Sequence, residues 1–170
     1  MLVKLNPREM SECEQAAALR WQLARASGVG NQRTDQKRTD ADVDLLGVMA
    51  EKAVSKIFDI EYNPLHHLGV DSGKDLWLGD ISIDVKSTFY KTGKLLFKSK
   101  EAFKAHCAVL VCKHDEDILD VVGYAPRSAF LREGKEADLG YGVGFYMEQD
   151  SLRPMQDLWR VYTEHRLKFN

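Results

Sequence analysis

Apolar residues recur every three or four positions in the first third of the chain, and this spacing predicts two helices. The first begins at Asn6-Pro7, with Asn6 as the N-cap and Pro7 in the first helical position, and ends near Gly28. A polar stretch over residues 31–41 predicts an exposed loop, and the second helix is predicted over residues 42–58. The two apolar stripes consist of Ala16, Leu19, Leu23 and Ala26, and of Leu45, Met49, Ala53 and Ile57.

From about residue 75 apolar and polar residues alternate, and this period predicts β-strands. Residues 74–86 are predicted to form a hairpin with its turn at Gly79-Asp80, whereas the glycine-rich residues 134–150 give no clear pattern. The other predicted elements are a strand over 95–98, a short helix over 100–105, strands over 108–112 and 119–125, a helix over 126–131 and a closing helix over 154–162. This order predicts an α/β fold in which a central mixed β-sheet is flanked by helices.

Length and composition indicate a single domain and exclude several classes of protein. The 170 residues, 44% of them hydrophobic, are enough for one apolar core. The apolar runs are far shorter than the roughly 20 residues of a membrane span, and the first residues lack the pattern of a signal peptide. Cys13, Cys107 and Cys112 form no CxxC pair, which argues against a disulfide framework or structural zinc. We therefore expect a cytoplasmic protein with no membrane contact and no organic cofactor.

The net charge of −2 argues against a nucleic-acid partner, but the charge is unevenly distributed. Six lysines lie between Lys86 and Lys104, against the single acid Glu101, and residues 115–120 are acidic. One basic face is sufficient for phosphate binding even when the total charge is near zero. Scattered lysines that only keep the protein in solution explain the same composition equally well.

The predicted hairpin brings together the residues that are able to carry chemistry. On the strand around Asp84, Ile81, Ile83 and Val85 face one side, and the opposite side carries Ser82, Asp84 and Lys86. A turn at Gly79-Asp80 sets Asp75 of the partner strand directly opposite Asp84. Asp is unfavourable in strands, and two carboxylates that meet on one face are destabilising without a cation.

Two carboxylates beside a lysine suit the hydrolysis of a phosphodiester. Mg²⁺ prefers hard oxygen ligands and keeps several of its waters, and it lowers the pKa of a bound water to make a nucleophile. A neighbouring lysine orients or deprotonates the water, or neutralises the developing charge. The sequence therefore predicts a Mg²⁺ site, with Mn²⁺ as a substitute.

Asp75 followed after eight residues by Asp84-Val85-Lys86 resembles the motif of the PD-(D/E)xK nuclease superfamily, although Lys74 stands where that motif has proline. The resemblance covers about residues 42–113. It implies a restriction-endonuclease-like core with an extra N-terminal helix, and metal ligation by Asp75, Asp84 and the Val85 carbonyl. It also implies that Lys86 is the catalytic lysine and that Glu51, on the preceding helix, binds the metal or its water.

We accordingly describe the chain as one nuclease-like domain, residues 1–170. It comprises an N-terminal helix and polar loop over 1–41, a catalytic core over 42–125 and a C-terminal extension over 126–170. Small chains of this kind are frequent in phages, which would place the protein in the host cytoplasm. If such a nuclease forms a homodimer, the apolar side chains of the closing helix would supply an interface: Leu158, Trp159 and Val161.

Two segments are candidates for contact with DNA. The first follows the candidate catalytic strand, where Tyr90 is able to stack on a base, and the second lies in the polar loop. Their residues are Thr88, Tyr90, Lys91 and Lys94, and Arg33, Lys37 and Arg38. A hairpin turn that carries lysines for solubility explains the first segment equally well.

The sequence leaves three functions open. The first is a Mg²⁺-dependent endo- or exodeoxyribonuclease. The second is a catalytically inactive nuclease fold that binds DNA, which the joint presence of Glu51, Asp75, Asp84 and Lys86 argues against. The third is a protein-interaction module that uses its acidic face, which the net charge of −2 allows.

Overall fold

The computed structural model describes residues 1–26, 37–66, 73–138 and 142–169, and within these ranges the chain forms four α-helices, two short 3-10 helices (Pro64–His66 and Gln149–Ser151) and eight strands. The predicted helix end at Gly28, most of the predicted loop over 31–41 and Arg33 lie outside the described residues. The helices are α1 (Pro7–Ala26), α2 (Asp40–Ile57), α3 (Arg127–Glu133) and α4 (Met155–Phe169). The strands are β1 (Leu2–Lys4), β2 (Leu76–Leu78), β3 (Ile81–Thr88), β4 (Leu95–Phe97), β5 (Cys107–Lys113), β6 (Ile118–Pro126), β7 (Lys135–Asp138) and β8 (Val143–Met147).

The main sheet has five strands in the order β1-β6-β5-β3-β2. Strands β3 and β5 run parallel, with Asp84 beside Ala108, and every other pair in this sheet is antiparallel. The sheet is therefore mixed, and helices lie on both of its faces, since α3 packs opposite the other three. The predicted α/β fold with a mixed sheet flanked by helices is confirmed at this level.

Alternation along β5 divides the interior into two apolar cores, one on each face of the sheet. Cys107, Val109 and Val111 point into the larger core, which also receives α1, α2 and α4. Ala108 and Leu110 point into the smaller core, which α3 and a second sheet close. Because both faces are covered, β5 is a continuous apolar run, as its sequence predicted.

Side-chain caps fix the starts of the two long helices. Asn6 accepts a hydrogen bond from the Glu9 amide at 2.9 Å, and Glu9 accepts one from the Asn6 amide at 2.7 Å. Thr39 and Asp42 form the same reciprocal pair at the start of α2. Each of these reciprocal pairs, known as a capping box, satisfies two backbone amide donors that have no partner inside the helix. The predicted starts of both helices are confirmed, the second to within two residues.

A second, three-stranded sheet in the order β4-β8-β7 lies over the smaller core. The predicted strand at 95–98 exists, but it pairs with β8 and not with the hairpin. The predicted helix over 100–105 is wrong. The amides of Ala102 and Phe103 donate to carbonyls three residues earlier, which forms isolated turns and no continuous helix. The Phe103 ring points inward and stacks on Phe97, with ring centroids 4.4 Å apart. Burial of an aromatic ring overrides local helix propensity at this point.

None of the described helices combines the length and the apolar character that crossing a membrane requires.

Candidate functional site

Strand β3 carries polar residues into a largely apolar part of the molecule. Its Ile83 side chain belongs to the larger core, so Ser82, Asp84 and Lys86 face the other side of the sheet. Asp84 is 1% exposed, and Ser82 is fully buried. An ionised carboxylate with so little access to water needs a charged or hydrogen-bonding partner nearby.

Lys86 is a charged partner of Asp84. Its Nζ lies 2.6 Å from Asp84 Oδ1, and it also sits 4.9 Å from the centre of the Phe97 ring. Burial, together with the negative charge of Asp84, raises the pKa of the neighbouring Cys107 thiol to about 12. Because Asp84 itself is 1% exposed, its charge acts in surroundings that screen it weakly. Lys86 is 37% exposed at its side chain, so this ammonium connects the buried carboxylate with solvent.

Asp75 lies against the backbone of β3 at the level of Asp84. The hairpin register pairs Leu76 with Ile83, and the Asp75 amide then donates to the Ile83 carbonyl at 2.8 Å. The Asp75 carboxylate accepts a hydrogen bond from the Val85 amide at 2.6 Å. These contacts straddle Asp84 and differ from the regular strand pairing expected for Asp75. Because backbone N–H groups point along the plane of a sheet, the carboxylate lies beside β3 near that plane.

Two further oxygen donors belong to this part of β3. In a regular strand the carbonyl and the amide of one residue point to the same side, so strand geometry directs the Val85 carbonyl toward Asp75, whose carboxylate binds the Val85 amide. Asp84 Oδ2 lies 4.0 Å from the position that a Cβ on Gly73 would occupy, so it faces the segment that leads into Asp75. Two carboxylates and a carbonyl are hard oxygen donors of the kind that Mg²⁺ binds, and this set fits such an ion.

Glu51, on α2, is held by residues that sequence reasoning missed. Both of its oxygens accept hydrogen bonds from Arg20 of α1, at 2.9 and 2.8 Å, and the Tyr62 hydroxyl donates a third, short hydrogen bond. Burial, with the charge of Glu51, raises the pKa of Tyr62 well above its usual range. The carboxylate is thus satisfied by the protein itself.

Arg20 pairs with Glu51 and also feels the negative charge of Asp75. Burial alone would lower the pKa of Arg20, but the hydrogen bonds from Arg20 to Glu51 and the charges of Glu51 and Asp75 raise it. We call Glu51, Arg20, Asp75, Asp84 and Lys86 the charged row. Among the described residues no three His, Cys, Asp or Glu side chains are grouped closely enough to hold one metal ion.

The sequence does carry a signal for Arg20. It follows the buried Ala16 and Ala17 by four and three residues, so a basic residue continues the buried stripe of α1. Tyr62 offers no comparable signal, because it lies in a segment without periodicity, eleven residues beyond Glu51.

The predicted DNA-contacting residues lie at the far end of β3. Thr88 ends the strand, and its hydroxyl accepts a hydrogen bond from the Tyr90 amide at 3.2 Å. Tyr90 is 58% exposed, and Lys91 is exposed beside it. Lys94 pairs with Glu148 at 2.8 Å, a hydrogen bond that raises the pKa of the lysine. This segment is therefore a basic surface that includes the exposed Tyr90 ring.

The second predicted segment joins the first through Phe89. The Arg38 guanidinium lies 4.8 Å from the centre of the Phe89 ring, and Lys37 is exposed next to it. Both predicted segments thus contribute to one surface beyond Thr88. Arg33 lies outside the described residues, and its predicted role stays a prediction.

The fold and the charged row define a mixed α/β protein with a carboxylate–lysine cluster on β3, next to the edge strand β2. A family sequence profile matches residues 2–106, which are 105 of the 170 residues, and the chain therefore belongs to that family, a family of unknown function (DUF5843). The matched part contains the whole charged row. Neither the curated proteins nor the solved structures give a significant match.

Proposed function

We propose that the protein is a divalent-metal-dependent deoxyribonuclease whose reaction centre lies at the Asp75–Asp84 end of the charged row. The observation that carries the proposal is the position of Asp75, whose two contacts with β3 straddle Asp84, while Lys86 Nζ lies 2.6 Å from that aspartate. Two carboxylates at one level of a strand, one of them paired with a partly exposed ammonium, suit phosphodiester hydrolysis better than they suit stability.

Asp75, Asp84 and the Val85 carbonyl would hold Mg²⁺, or Mn²⁺ in its place. When bound, the ion supplies a Lewis acid for the phosphoryl oxygen and lowers the pKa of a water. The Asp75 carboxylate is already oriented by the Val85 amide. This orientation reduces the cost of arranging the ligands before substrate binds.

Lys86 is proposed as the catalytic lysine. The ion pair with Asp84 holds its Nζ beside the carboxylates, and the partial exposure of the side chain lets it reach a substrate. Its ammonium would orient the attacking water through an N–H donor and neutralise charge on the phosphoryl oxygens. In its neutral form Nζ would accept the proton of that water.

Glu51 is proposed to act on the water around the ion and not as a direct ligand. Both of its oxygens are engaged by Arg20, so direct ligation would require that pair to separate. The exposed surface beyond Thr88 would bind the DNA backbone, with Tyr90 and Lys91 as contacts. The exposed side chains of Lys37 and Arg38 would extend this surface.

Cleavage assays with matched variants test the proposal. Plasmid and single-stranded DNA are incubated with the protein and Mg²⁺, Mn²⁺ or EDTA. We expect metal-dependent cleavage that Asp84→Asn and Lys86→Gln reduce at least about a hundredfold. Lys86→Gln keeps an N–H donor for Asp84. The matched controls, Asp157→Asn and Lys56→Gln, change a partly exposed member of an ion pair elsewhere and should cleave as wild type does.

The second candidate is a protein that binds DNA on this fold without cleaving it. The engagement of Glu51 by Arg20 favours it, because a carboxylate so satisfied has less need of a cation. Binding of DNA by the folded wild type, without cleavage in any metal, would establish this candidate and refute the nuclease.

A further inference from the structure

Trp77 is a large aromatic residue left open on an edge strand. It is 51% exposed at the centre of β2, between the buried Leu76 and Leu78. It pairs with Ser82, so both side chains lie on the face of the sheet that carries Asp84. Ser82 precedes Asp84 by two residues, which is roughly 6.5–7 Å along a strand. An exposed indole ring therefore lies on the same face of the sheet as Asp84, beside the residue two positions before it.

His106 lies on the other side of Ser82 from Trp77, just before β5. Its Nδ1 accepts a hydrogen bond from the Ser82 amide at 3.0 Å and lies 2.8 Å from Ser82 Oγ. A backbone amide always donates, so Nδ1 of the neutral ring carries no proton and Nε2 does. The His106 residue is exposed. The ring is thus held with an N–H donor directed away from Ser82.

Two lysines give this surface a positive charge. Lys74 Nζ lies 5.4 Å from the centre of the Trp77 ring. Lys104 is exposed, and its Cβ lies 3.9 Å from the position that a Cβ on Gly73 would occupy, near Asp84 Oδ2. We call Lys74, Trp77, Lys104 and His106 the Trp77 patch. It combines a stacking platform, a fixed N–H donor and two cations.

We propose that the Trp77 patch binds one unpaired nucleotide next to the reaction centre, so that the preferred substrate is single-stranded DNA or a frayed strand end. The base stacks on the indole, and the lysines with His106 contact its phosphate. Bases inside a duplex are stacked on each other and offer no open face, whereas an unpaired base does. This inference rests on the proposed nuclease function for the strand that is cut, but nucleotide binding itself does not need the metal.

Measuring DNA binding in the presence of EDTA distinguishes nucleotide binding by the Trp77 patch from metal-dependent cleavage. Fluorescence anisotropy measures the affinity for a labelled twelve-nucleotide oligo(dT) and, for comparison, the affinity for a DNA hairpin duplex of equal charge. We expect Trp77→Ala to weaken oligo(dT) binding about tenfold and Trp77→Phe, which keeps a ring, to weaken it much less. The matched control is Trp21→Ala, which removes another indole that packs against a cation, Arg25 at 4.1 Å.

Equal affinity of Trp77→Ala and wild type for oligo(dT), or equal binding of oligo(dT) and the duplex by wild type, would overturn the inference. A wild-type dimer that Trp77→Ala makes monomeric, with unchanged DNA affinity, would assign this edge to a second copy of the chain and overturn it too. Trp77-dependent binding without any cleavage would refute the nuclease alone, and cleavage of oligo(dT) unaffected by Trp77→Ala would refute the patch alone.

Discussion

Glu51 and Asp84 are both buried carboxylates that face a basic side chain, yet their partners differ in kind. Arg20 covers both oxygens of Glu51, and the Tyr62 hydroxyl adds a third donor. Lys86 contacts Asp84 through a single Nζ–Oδ1 ion pair. A guanidinium matches a carboxylate in a planar, two-bond arrangement, whereas an ammonium is a point charge on a flexible stem.

The difference separates a pair suited to stability from a pair suited to chemistry. The side chains of Arg20 and Glu51 are 23% and 10% exposed, so neither readily exchanges its partner for water. In the other pair the carboxylate is buried, but the lysine side chain is 37% exposed, so its ammonium is accessible to solvent and substrate. We therefore expect changes to the first pair to act mainly on folding and changes to the second to act mainly on cleavage.

The largest effect is expected from Arg20→Ala. This substitution leaves the Glu51 charge buried beside Tyr62 without its guanidinium, which costs about 3–5 kcal/mol of unfolding free energy. Urea unfolding of the variant measures it. Arg20→Met combined with Glu51→Met serves as control, because removing both charges should recover most of the loss. If Arg20→Ala unfolds like wild type, the pair does not stabilise the fold.

Asp84→Asn should show the opposite pattern. Cleavage is expected to fall at least about a hundredfold, which is about 2.7 kcal/mol in the barrier, because a proposed ligand of the ion is lost. The unfolding free energy should change by only about 1 kcal/mol, since Lys86 can turn to solvent and the amide keeps the shape of the carboxylate. Cleavage rates and urea unfolding on one preparation test both. A large loss of stability with cleavage retained would reverse the comparison.

Tyr62→Phe removes one donor from Glu51 and should cost about 1.5 kcal/mol near neutral pH. The raised pKa of Tyr62 also makes wild-type stability depend on pH. Above about pH 10 a tyrosine ionises in the unfolded chain, while buried Tyr62 stays protonated, so the unfolded state binds fewer protons and stability falls as pH rises. Urea unfolding between about pH 8 and 11 should show a steeper fall for wild type than for Tyr62→Phe. Parallel curves would contradict a buried, neutral Tyr62.

The smallest effect concerns the metal. An ion present at ten times its dissociation constant stabilises the folded state by about 1.4 kcal/mol and raises the melting temperature accordingly. We expect Mg²⁺ to raise the melting temperature of wild type, to have no effect on Asp75→Asn or Asp84→Asn, and to retain most of its effect on Glu51→Gln. A complete loss of the Mg²⁺ effect in Glu51→Gln would make Glu51 a direct ligand.

The sequence predicts those parts of the fold in which local pattern and burial agree. The two long helices and the hairpin show strong periodicity, β5 is an uninterrupted apolar run, and each of these elements was predicted. Strands β7 and β8 were not predicted, since they are short and each follows a glycine, and β8 is held between β4 on one side and β7 on the other. The helix predicted over 100–105 failed for a tertiary reason, the burial of Phe103.

The candidate site divides in the same way. Strand alternation predicted that Asp84 and Lys86 share a face, and the hairpin predicted that Asp75 lies close to them. The hydrogen bond from the Val85 amide to the Asp75 carboxylate depends on local backbone geometry that no sequence pattern encodes. Arg20 and Tyr62 reach Glu51 across 31 and 11 residues of sequence, so only the packing of α1 and α2 reveals that Glu51 is already engaged.

The Gly79 turn has a mechanical consequence for the hairpin that carries Asp75. Gly79 has a φ of +60°, and a Cβ added there would lie 2.9 Å from Cε2 of Tyr162 on α4. The tip of the hairpin therefore rests on the last helix with no room for a side chain between them. Asp75 lies at the other end of the same hairpin. A displacement of α4, for example by a partner bound at its exposed Trp159, would therefore move the hairpin tip and with it the position of Asp75.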